Sequence, residues 1–425
     1  MKKIGIPSIL LLFFVSWGYA QSGPNYDEAK VPKFELPDPL MTFGGERVSD
    51  TSDWWLKRRP ELMAFFTDEM FDRVPSELGI TSYTVLEEGQ STMYKGAIRQ
   101  QVQISIHKED EQLNFTLLLY LPQGVKKAPV FLGANFYGNH SVTLDDKVFI
   151  SQAWAKNNKD FYISGNRFTE ASRGVRADRW AVQKIIDGGF GIATFYYGEI
   201  DPDKNDFSDG IHPFFYGEGQ DHPGPGEWGS IAAWAWGMSR ALDYLEENDR
   251  VDAENVIAFG HSRLGKTALW AGANDKRFAA VISNNSGCGG AALSKRCYGE
   301  TIAVINKSFP HWFTEEFKKY SGREPELPID QHELISLIAP RPVYVASAVD
   351  DKWADPKGEY LAAYYAGQVY GLFGKSVLQS KQLPEIHQPV HHVIGYHIRE
   401  GVHYVTDYDW EQYIKWASKV VLVQK

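Results

Sequence analysis

Hydrophobic and polar residues follow two different spacings along the chain. Residues 101–107 alternate between polar and apolar side chains, which predicts a half-buried strand, and residues 115–121 read as its partner. Apolar side chains at helical spacing predict a helix over residues 54–74. The N-terminal third of the chain therefore contains both a helix and a pair of strands.

From residue 128 onward, short apolar runs that predict buried strands alternate with segments that predict helices. The predicted strands are 128–132, 191–197, 256–259, 279–283 and 343–349, and the predicted helices are 180–187, 231–246, 263–273 and 359–369. Such alternation is typical of a mostly parallel sheet with helices on its faces, so we expect an α/β fold in three layers. Segment 198–228 is rich in Gly, Pro, Asp and His, and its length predicts a functional or disordered loop.

The ends of the chain add two further expectations. Residues 1–20 read as a signal peptide, with Lys2 and Lys3 ahead of an apolar run and a cleavage position after Ala20. The protein is therefore expected to be exported, and both the periplasm and the extracellular space remain open. Residues 21–90 are assigned to an N-terminal arm and a helical region that packs on the core, and residues 91–425 to the main domain.

Composition narrows the possible functions. The formal net charge of −10 opposes nucleic-acid binding, because proteins of that class present basic surfaces. The 13 Trp, 22 Tyr and 24 Phe residues fit either a large aromatic core or a cleft that binds sugar. The two cysteines, Cys288 and Cys297, are compatible with a disulfide or with two free thiols, and no spacing indicates a zinc site.

One motif indicates a catalytic nucleophile. Ser262 lies between a predicted strand and a predicted helix, in the run Gly-His-Ser-Arg-Leu-Gly-Lys at 260–266. This is the context of the nucleophile elbow of α/β hydrolases, where the backbone N–H after the serine faces the developing oxyanion. Leu264 stands where the usual motif has its second glycine. The alternative is an ordinary turn in which Ser262 only caps the helix.

A serine nucleophile needs a base and an acid. The chain order of this fold is serine, acid, histidine, which favours His403 as the base. Asp350 and Asp351 follow a late predicted strand, and either is a candidate acid. Residues 133–138 follow the strand at 128–132 and are candidates for part of the oxyanion hole. Other histidines compete with His403 on sequence alone, namely His387, His391, His392 and His397.

Further motifs extend this pattern. They are Ser-Asn-Asn-Ser-Gly-Cys-Gly-Gly at 283–290, Gly-Glu at 299–300, Asp-Lys-Trp-Ala-Asp-Pro at 351–356, and Tyr-Tyr-Gly-Glu-Ile-Asp-Pro-Asp at 196–203. Together with the run at 260–266, they resemble carbohydrate esterase family 15, the glucuronoyl esterases, from about residue 54 to the C-terminus. The motif at 196–203 is typical of the bacterial members.

The resemblance implies an α/β-hydrolase catalytic domain over residues 91–425. It implies hydrolysis of the ester between (4-O-methyl-)glucuronic acid of glucuronoxylan and a lignin alcohol, through an acyl-enzyme. Ser262 matches the nucleophile, His403 the base, and Arg263 an arginine that helps to stabilise the oxyanion. No metal or organic cofactor is expected, and we expect a monomer that does not associate with a membrane after cleavage.

Three other positions match residues that hold the uronate sugar, namely Lys266, Glu300 and Trp353. Lys266 follows Ser262 by about one helical turn and can face the same site. A glutamate accepts hydrogen bonds from sugar hydroxyls, and a tryptophan offers its apolar face to a sugar ring. The alternative function is an acetylxylan or general carboxyl esterase, which has less need of such a sugar clamp.

The identity of the triad acid departs from the most frequent pattern of the family. Many members carry a catalytic glutamate just before the Ser-Gly-x-Gly-Gly stretch, where this chain has Asn285. An asparagine cannot supply the negative charge that stabilises an imidazolium. Other members place the acid two residues before the tryptophan, which is Asp351 here. We therefore expect Asp351 to be the acid, with Asp350 as the runner-up.

Overall fold

The computed structural model describes residues 23–72, 79–224 and 226–423, so the predicted signal peptide lies outside the described residues. The N-terminal arm contains one 3-10 turn, Glu28–Lys30. A helical segment then runs through α1 (Thr51–Asp53), a π-helical stretch (Trp54–Arg58), α2 (Arg59–Phe66) and a second π-helical stretch (Thr67–Phe71). The helix predicted from residue 54 is confirmed as far as Phe71, and residues 73 and 74 lie outside the described residues.

One nine-stranded sheet forms the centre of the described part of the chain. Its strands are β1 (Ile80–Gln90), β2 (Ala97–Lys108), β3 (Glu111–Pro122), β4 (Ala128–Asn135), β5 (Gly191–Tyr196), β6 (Val251–His261), β7 (Ala280–Asn284), β8 (Val343–Ala348) and β9 (Ile394–Arg399). Their order is β1-β2-β3-β5-β4-β6-β7-β8-β9. Strands β1 to β3 pair antiparallel, as do β3 and β5, whereas every pair from β5 to β9 is parallel. The predicted mostly parallel sheet is confirmed.

Helices cover both faces of this sheet. They are α3 (Val182–Asp187), α4 (Ser230–Glu247), α5 (Arg263–Asn274), α6 (Ile302–Ser308), α7 (Gln331–Ser336), α8 (Pro356–Leu372) and α9 (Asp407–Trp416). Helices α3 and α9 pack together against β3, β5 and β9. Helices α4 and α5 contact each other and the strands β4 and β6, while α7 packs between α5 and α8. The three-layer arrangement expected from the sequence is thus present.

Two strands are not among those that the spacing predicts. Strand β1 lies within residues 21–90, the range assigned to the arm and helical region, and β9 lies just before His403. The predicted loop at 133–138 begins later than expected, because residues 133–135 still belong to β4. Gly133 makes this extension of β4 possible, because a Cβ at this position would lie 2.6 Å from the carbonyl oxygen of Phe259 on the neighbouring strand β6. Glycine thus lets β4 continue beside β6.

Much of the aromatic content lies in the core. Among the described residues, five tryptophans are less than 2% exposed, namely Trp54, Trp234, Trp270, Trp410 and Trp416. Trp353 differs from them, because 38% of its surface is exposed. The interpretation as a large aromatic core is therefore confirmed, and a cleft that binds sugar stays a prediction. Within the described residues, no helix is long and apolar enough to cross a membrane.

Candidate active site

The predicted site residues collect at one edge of the sheet. Ser262 directly follows β6, Asn285 follows β7, Asp351 comes three residues after β8, and His403 four residues after β9. These strands are parallel neighbours, so their carboxyl ends open at the same edge. In open α/β sheets, ligands bind in the crevice at this edge.

Ser262 occupies a sharp turn between β6 and α5. Its φ of 58° and ψ of −130° are sparsely populated by residues with a side chain, and its hydroxyl makes no capping bond to α5. The turn is tight because Gly260 has no side chain: a Cβ there would lie 1.8 Å from the carbonyl oxygen of Leu264. Gly265 allows a second close approach, since a Cβ there would lie 2.9 Å from that of Ser286. The strand–turn–helix context predicted for Ser262 is present, with Gly265 in place of the usual glycine at 264.

His403 and Asp351 form a hydrogen-bonded pair. The Nδ1 atom of His403 lies 2.6 Å from Oδ2 of Asp351, and Asp351 is buried whereas His403 is partly exposed. The side-chain amide of Asn285 donates to the same Oδ2 at 2.6 Å. Asp350 is exposed, and its backbone N–H donates to the carbonyl of Gly401. The structure therefore brings Asp351, and not Asp350, to the candidate base.

The other histidines near the C-terminus have different surroundings. His397 is buried and its Nε2 lies 2.8 Å from Asp409. His391 and His392 line a separate cavity with Lys419 and Val420. The ring of His387 lies 4.6 Å from that of Tyr408, measured between centroids. These four histidines therefore lie in other surroundings, whereas His403 is paired with Asp351.

The loop that carries His403 is held by Arg399, the last residue of β9. Its guanidinium donates to the backbone carbonyls of Glu400, Val402 and Tyr404 and is paired with Asp409. The imidazole of His403 also lies against that of His261, with 4.5 Å between ring centroids. Burial lowers the pKa of His261 well below its usual value, so this neighbour is neutral and does not repel a charged His403.

Arg263 follows Ser262 and is paired with Asp203, in the long segment 198–228. Burial opposes the charge of both residues, but their mutual attraction raises the pKa of Arg263 and, with a hydrogen bond from His311, lowers that of Asp203. The guanidinium also lies 4.6 Å from the ring centroid of Trp312. Its Nε–H is buried and has no hydrogen-bond partner among the described residues. A donor next to Ser262 is thus left without a protein acceptor.

Lys266 and Glu300 face each other at a buried position. The Lys266 Nζ lies 3.9 Å from Oε2 of Glu300 and also donates to the carbonyl of Ser286. Burial lowers the pKa of Lys266 and raises that of Glu300 to about 7, against the attraction between them. The backbone N–H of Glu300 donates to the carbonyl of Trp353 at 3.0 Å. The structure therefore brings together all three residues that the resemblance assigns to the sugar.

A cavity of about 630 Å³ opens on the Arg263 side. Its wall contains Asp203 and Lys204, and aromatic side chains provide much of the remainder, namely Phe136, Tyr137, Trp154, Tyr196, Tyr197 and Phe309. Phe136 and Tyr137 belong to the segment 133–138 that was expected to contribute to the oxyanion hole. Pockets with apolar walls and a few polar groups are typical of small-molecule sites.

Glu359 is a residue of this region that sequence reasoning missed. It lies on α8, is fully buried, and accepts hydrogen bonds from Ser347 Oγ at 2.6 Å and from the N–H of Gly287 at 3.0 Å. Burial raises its pKa to about 8. Its carboxyl group thereby links two segments of the site. One is strand β8, which leads to Asp351, and the other is the loop that carries Asn285.

Asp203 was also missed as an individual residue, although it lies in the motif at 196–203 that supports the resemblance. Its carboxylate accepts from Tyr197, His311 and Trp312 in addition to Arg263. Cys288 and Cys297 are both free thiols, which answers the question left open by the sequence. Among the described residues, no group of three or more His, Cys, Asp or Glu side chains could hold a metal ion.

Comparisons with known proteins agree with this geometry. A family model described as glucuronyl esterase of fungi matches residues 181–374. The chain is 49% identical to a carbohydrate esterase of an unknown prokaryotic organism, with 98% of each sequence covered. A solved promiscuous CE15 esterase from the marine bacterial metagenome is 49% identical, with a TM-score of 0.88 over 93% of this chain and 99% of that one. The solved glucuronoyl esterase from Solibacter usitatus is 46% identical, with a TM-score of 0.85 over 92% and 99%. The predicted α/β-hydrolase fold is confirmed by this likeness.

Proposed function

Since the chain belongs to carbohydrate esterase family 15, we propose that it hydrolyses esters of glucuronic acid. The substrate is the ester that links (4-O-methyl-)glucuronic acid of glucuronoxylan to an alcohol of lignin. The observation that carries this proposal is the Asp351–His403 pair, whose imidazole lies against His261, the residue before Ser262, with Lys266 and Glu300 buried near the same turn. A nucleophile, a base and a cationic sugar site in one crevice fit an ester whose acyl group is a uronic acid.

The reaction proceeds in two steps. His403 takes the proton of Ser262 while the serine oxygen attacks the ester carbonyl, and Asp351 orients the imidazole and stabilises its charged form. Collapse of the tetrahedral intermediate expels the alcohol, which receives the proton from His403. A water molecule, activated by the same histidine, then attacks the acyl-enzyme and releases free glucuronic acid. The residues named carry all of the proton transfers.

Arg263 is the proposed oxyanion stabiliser. Its backbone N–H begins α5, at the positive end of the helix dipole, and its Nε–H has no partner among the described residues. Donors that are fixed before the reaction stabilise developing charge without reorganisation. Asp203 supports this role, because its pairing with the guanidinium fixes the side chain next to the serine.

Lys266, Glu300 and Trp353 are the proposed sugar-binding residues. The ammonium group of Lys266 lies inside the protein beside Glu300, so a sugar oxygen bound there would meet a positive charge that bulk water does not screen. Glu300 can accept from sugar hydroxyls, and the partly exposed indole of Trp353 can cover one face of the ring. A small acyl group such as acetate would leave these groups unused.

The alcohol is proposed to bind in the aromatic cavity on the Arg263 side. This cavity lies beside Arg263, and six aromatic side chains line it. Aromatic rings favour offset or edge-on packing with another ring, which suits an aromatic alcohol derived from lignin. The two halves of the ester would thus occupy opposite sides of Ser262.

Hydrolysis of methyl and benzyl glucuronate tests the proposal. We expect the wild type to cleave both esters, with the benzyl ester preferred because its ring fills the aromatic cavity. The Ser262→Ala variant should lose about 10⁴-fold or more in kcat, as expected on removal of a triad nucleophile. Equal rates for the variant and the wild type would contradict the assignment of Ser262.

A second candidate is a broader carboxyl esterase, because a solved relative is described as a promiscuous esterase of the same family. The rate with p-nitrophenyl acetate separates the two. A kcat/KM for the acetate that equals or exceeds that for benzyl glucuronate would favour the acetylxylan or general esterase.

We also propose that the protein is exported as a monomer, with cleavage after Ala20. The motif in residues 1–20 supports export. Cleavage after Ala20 would leave intact the arm from Asn25 onward, which pairs with Gly299. N-terminal sequencing of the protein recovered from the periplasm or the medium should begin at Gln21. Recovery of the uncleaved chain in the cytoplasm alone would contradict the proposal.

A further inference from the structure

The N-terminal arm runs along the loops that carry two of the proposed sugar-binding residues. The carbonyl of Asn25 accepts from the N–H of Gly299 at 2.7 Å, and the hydroxyl of Tyr298 donates to the carbonyl of Tyr26 at 3.2 Å. Glu300 follows directly, and its own N–H donates to the carbonyl of Trp353. The arm, the Glu300 loop and the Trp353 loop therefore lie side by side.

Gly299 shows how closely these layers approach. Its φ is +65°, and a Cβ at this position would lie 2.4 Å from the carbonyl oxygen of Trp353. Only glycine allows the chain to pair with Asn25 on one side and to pass the Trp353 loop on the other. The contact with the arm is thus part of the architecture that positions Glu300.

Glu28 links the arm to both loops through ion pairs. Its carboxylate lies 2.5 Å from a guanidinium nitrogen of Arg296 and 2.8 Å from Nζ of Lys357. Arg296 also binds Asp355 at 2.8 Å. Burial would raise the pKa of Glu28, but Lys357 and Arg296 outweigh it and hold the pKa below its usual value. An ionised Glu28 therefore bridges the segment before Glu300 and the segment after Trp353.

Tyr26 stands at the rim of the same region. Its side chain is 46% exposed, and its ring lies edge-on to that of Tyr298, with 6.5 Å between centroids. Burial, together with the negative charges of Asp351 and Glu300, raises the pKa of Tyr26, and its neighbour Tyr298 lies two residues before Glu300. An accessible aromatic ring with a hydroxyl thus adjoins the candidate site for the sugar.

We propose that residues 25–30 form one wall of the sugar-binding site, that Tyr26 contacts the uronate or its ring substituents, and that Glu28 holds this wall in place. The proposal rests on the proposed function, because it takes the Glu300 and Trp353 region as the sugar site. The sequence assigns this segment only to an extended arm, since nothing local in it indicates a ligand. Its neighbours, Arg296 and Tyr298, come about 270 positions later in the chain.

Binding to an inactive protein tests the arm separately from the reaction. The exported protein carrying Ser262→Ala is titrated with methyl glucuronate in a calorimeter, alone and with Tyr26→Ala or Glu28→Ala added. Loss of one aromatic contact should raise the Kd by about fivefold. Glu28→Ala should also raise it, because the two loops lose their common partner. Phe43→Ala is the matched control, since this exposed aromatic packs on Arg58 and Phe65 instead.

Kinetics with Ser262 intact provide the second measurement. Tyr26→Ala should raise the KM for benzyl glucuronate while kcat changes by less than about twofold, because Tyr26 does not touch the reacting atoms. An unchanged Kd in the Tyr26→Ala protein, or an equal rise in the Phe43→Ala control, would overturn the inference. If the Ser262→Ala protein binds the ester but the wild type does not cleave it, the proposed reaction fails and the wall stands.

Discussion

At the residue scale, Asn285 and Asp351 show how this chain could supply the triad acid that we propose. Both Asn285 Nδ2 and His403 Nδ1 lie 2.6 Å from the same Asp351 oxygen. The Asn285 amide therefore orients the carboxylate of Asp351 toward His403. An uncharged residue at position 285 thus supports the proposed acid through a hydrogen bond.

Replacement of Asp351 by asparagine tests its proposed role as the acid. In Asp351→Asn, the amide can present its NH₂ group to His403, which favours the tautomer that cannot accept the serine proton. We expect kcat/KM for benzyl glucuronate to fall by about 10⁴-fold, as in other triads. The exposed Asp350 gives the control, and Asp350→Asn should stay within about twofold of the wild type. Similar losses in both variants, or activity retained in Asp351→Asn, would argue against Asp351 as the acid.

At the element scale, the strands and helices that were predicted are those whose pattern is local. Strand β6 and helix α5 flank Ser262 with continuous buried runs, and Gly260 and Gly265 lie within the same seven residues. The turn, the nucleophile and its surrounding elements can therefore be read from a short piece of sequence. The same holds for the antiparallel pair β2 and β3, which a two-residue turn connects.

Strand β9 could not be read in this way. All six of its residues are buried, yet His397 and Arg399 interrupt its apolar pattern. Their polar groups are satisfied by Asp409 of α9, which follows after a loop. A buried histidine and arginine become compatible with a strand only when this partner is in place. The sequence by itself shows the two polar residues and not their partner.

The residues of the candidate site also fall into those that local sequence indicates and those that it does not. The positions of Ser262, His403, Lys266, Glu300 and Trp353 came from motifs, and the structure brings these residues to one crevice. Glu359 and the arm around Tyr26 carry no motif, and their importance comes from partners far away in the chain. Residues of this kind can be found only after the fold has placed their neighbours.

At the scale of the whole molecule, buried carboxyl groups with a raised pKa favour stability at acidic pH. Burial raises the pKa of seven carboxyl groups among the described residues, including Glu324 and Asp355, and raises it to about 6 for Asp330, about 7 for Glu199, Glu300 and Glu333, and about 8 for Glu359. A group whose folded pKa is raised contributes stability below its unfolded pKa, near 4, and that contribution is lost as the pH rises through the folded value.

Two buried histidines and one half-buried histidine act in the opposite direction over a lower pH range. Burial lowers the pKa of His140, His332 and His391 to about 4, so they destabilise the fold as the pH falls below about 6.5. Between about pH 4 and 6.5 the two sets oppose each other. Above that range these histidines are neutral in both states, and among the two sets only the carboxyl groups still change. We therefore expect the melting temperature to fall as the pH rises from about 6.5 toward 9.

Glu359 offers the sharpest test of this pH dependence. Glutamine at 359 can accept from the N–H of Gly287 and donate to the hydroxyl of Ser347, so Glu359→Gln keeps the geometry and removes the ionisation. Below about pH 4, where the wild-type carboxyl is protonated in both the folded and the unfolded state, the two proteins should differ by a constant offset. Each pKa unit between the folded and unfolded states corresponds to about 1.4 kcal/mol. The variant should therefore gain several °C on the wild type as the pH rises from 6 to 9, an increase that differential scanning calorimetry can measure.

Exposed Glu35 provides the control, since Glu35→Gln should follow the wild-type curve in parallel. A Glu359→Gln curve that is also parallel would mean that this carboxyl is already ionised at neutral pH, in spite of its burial.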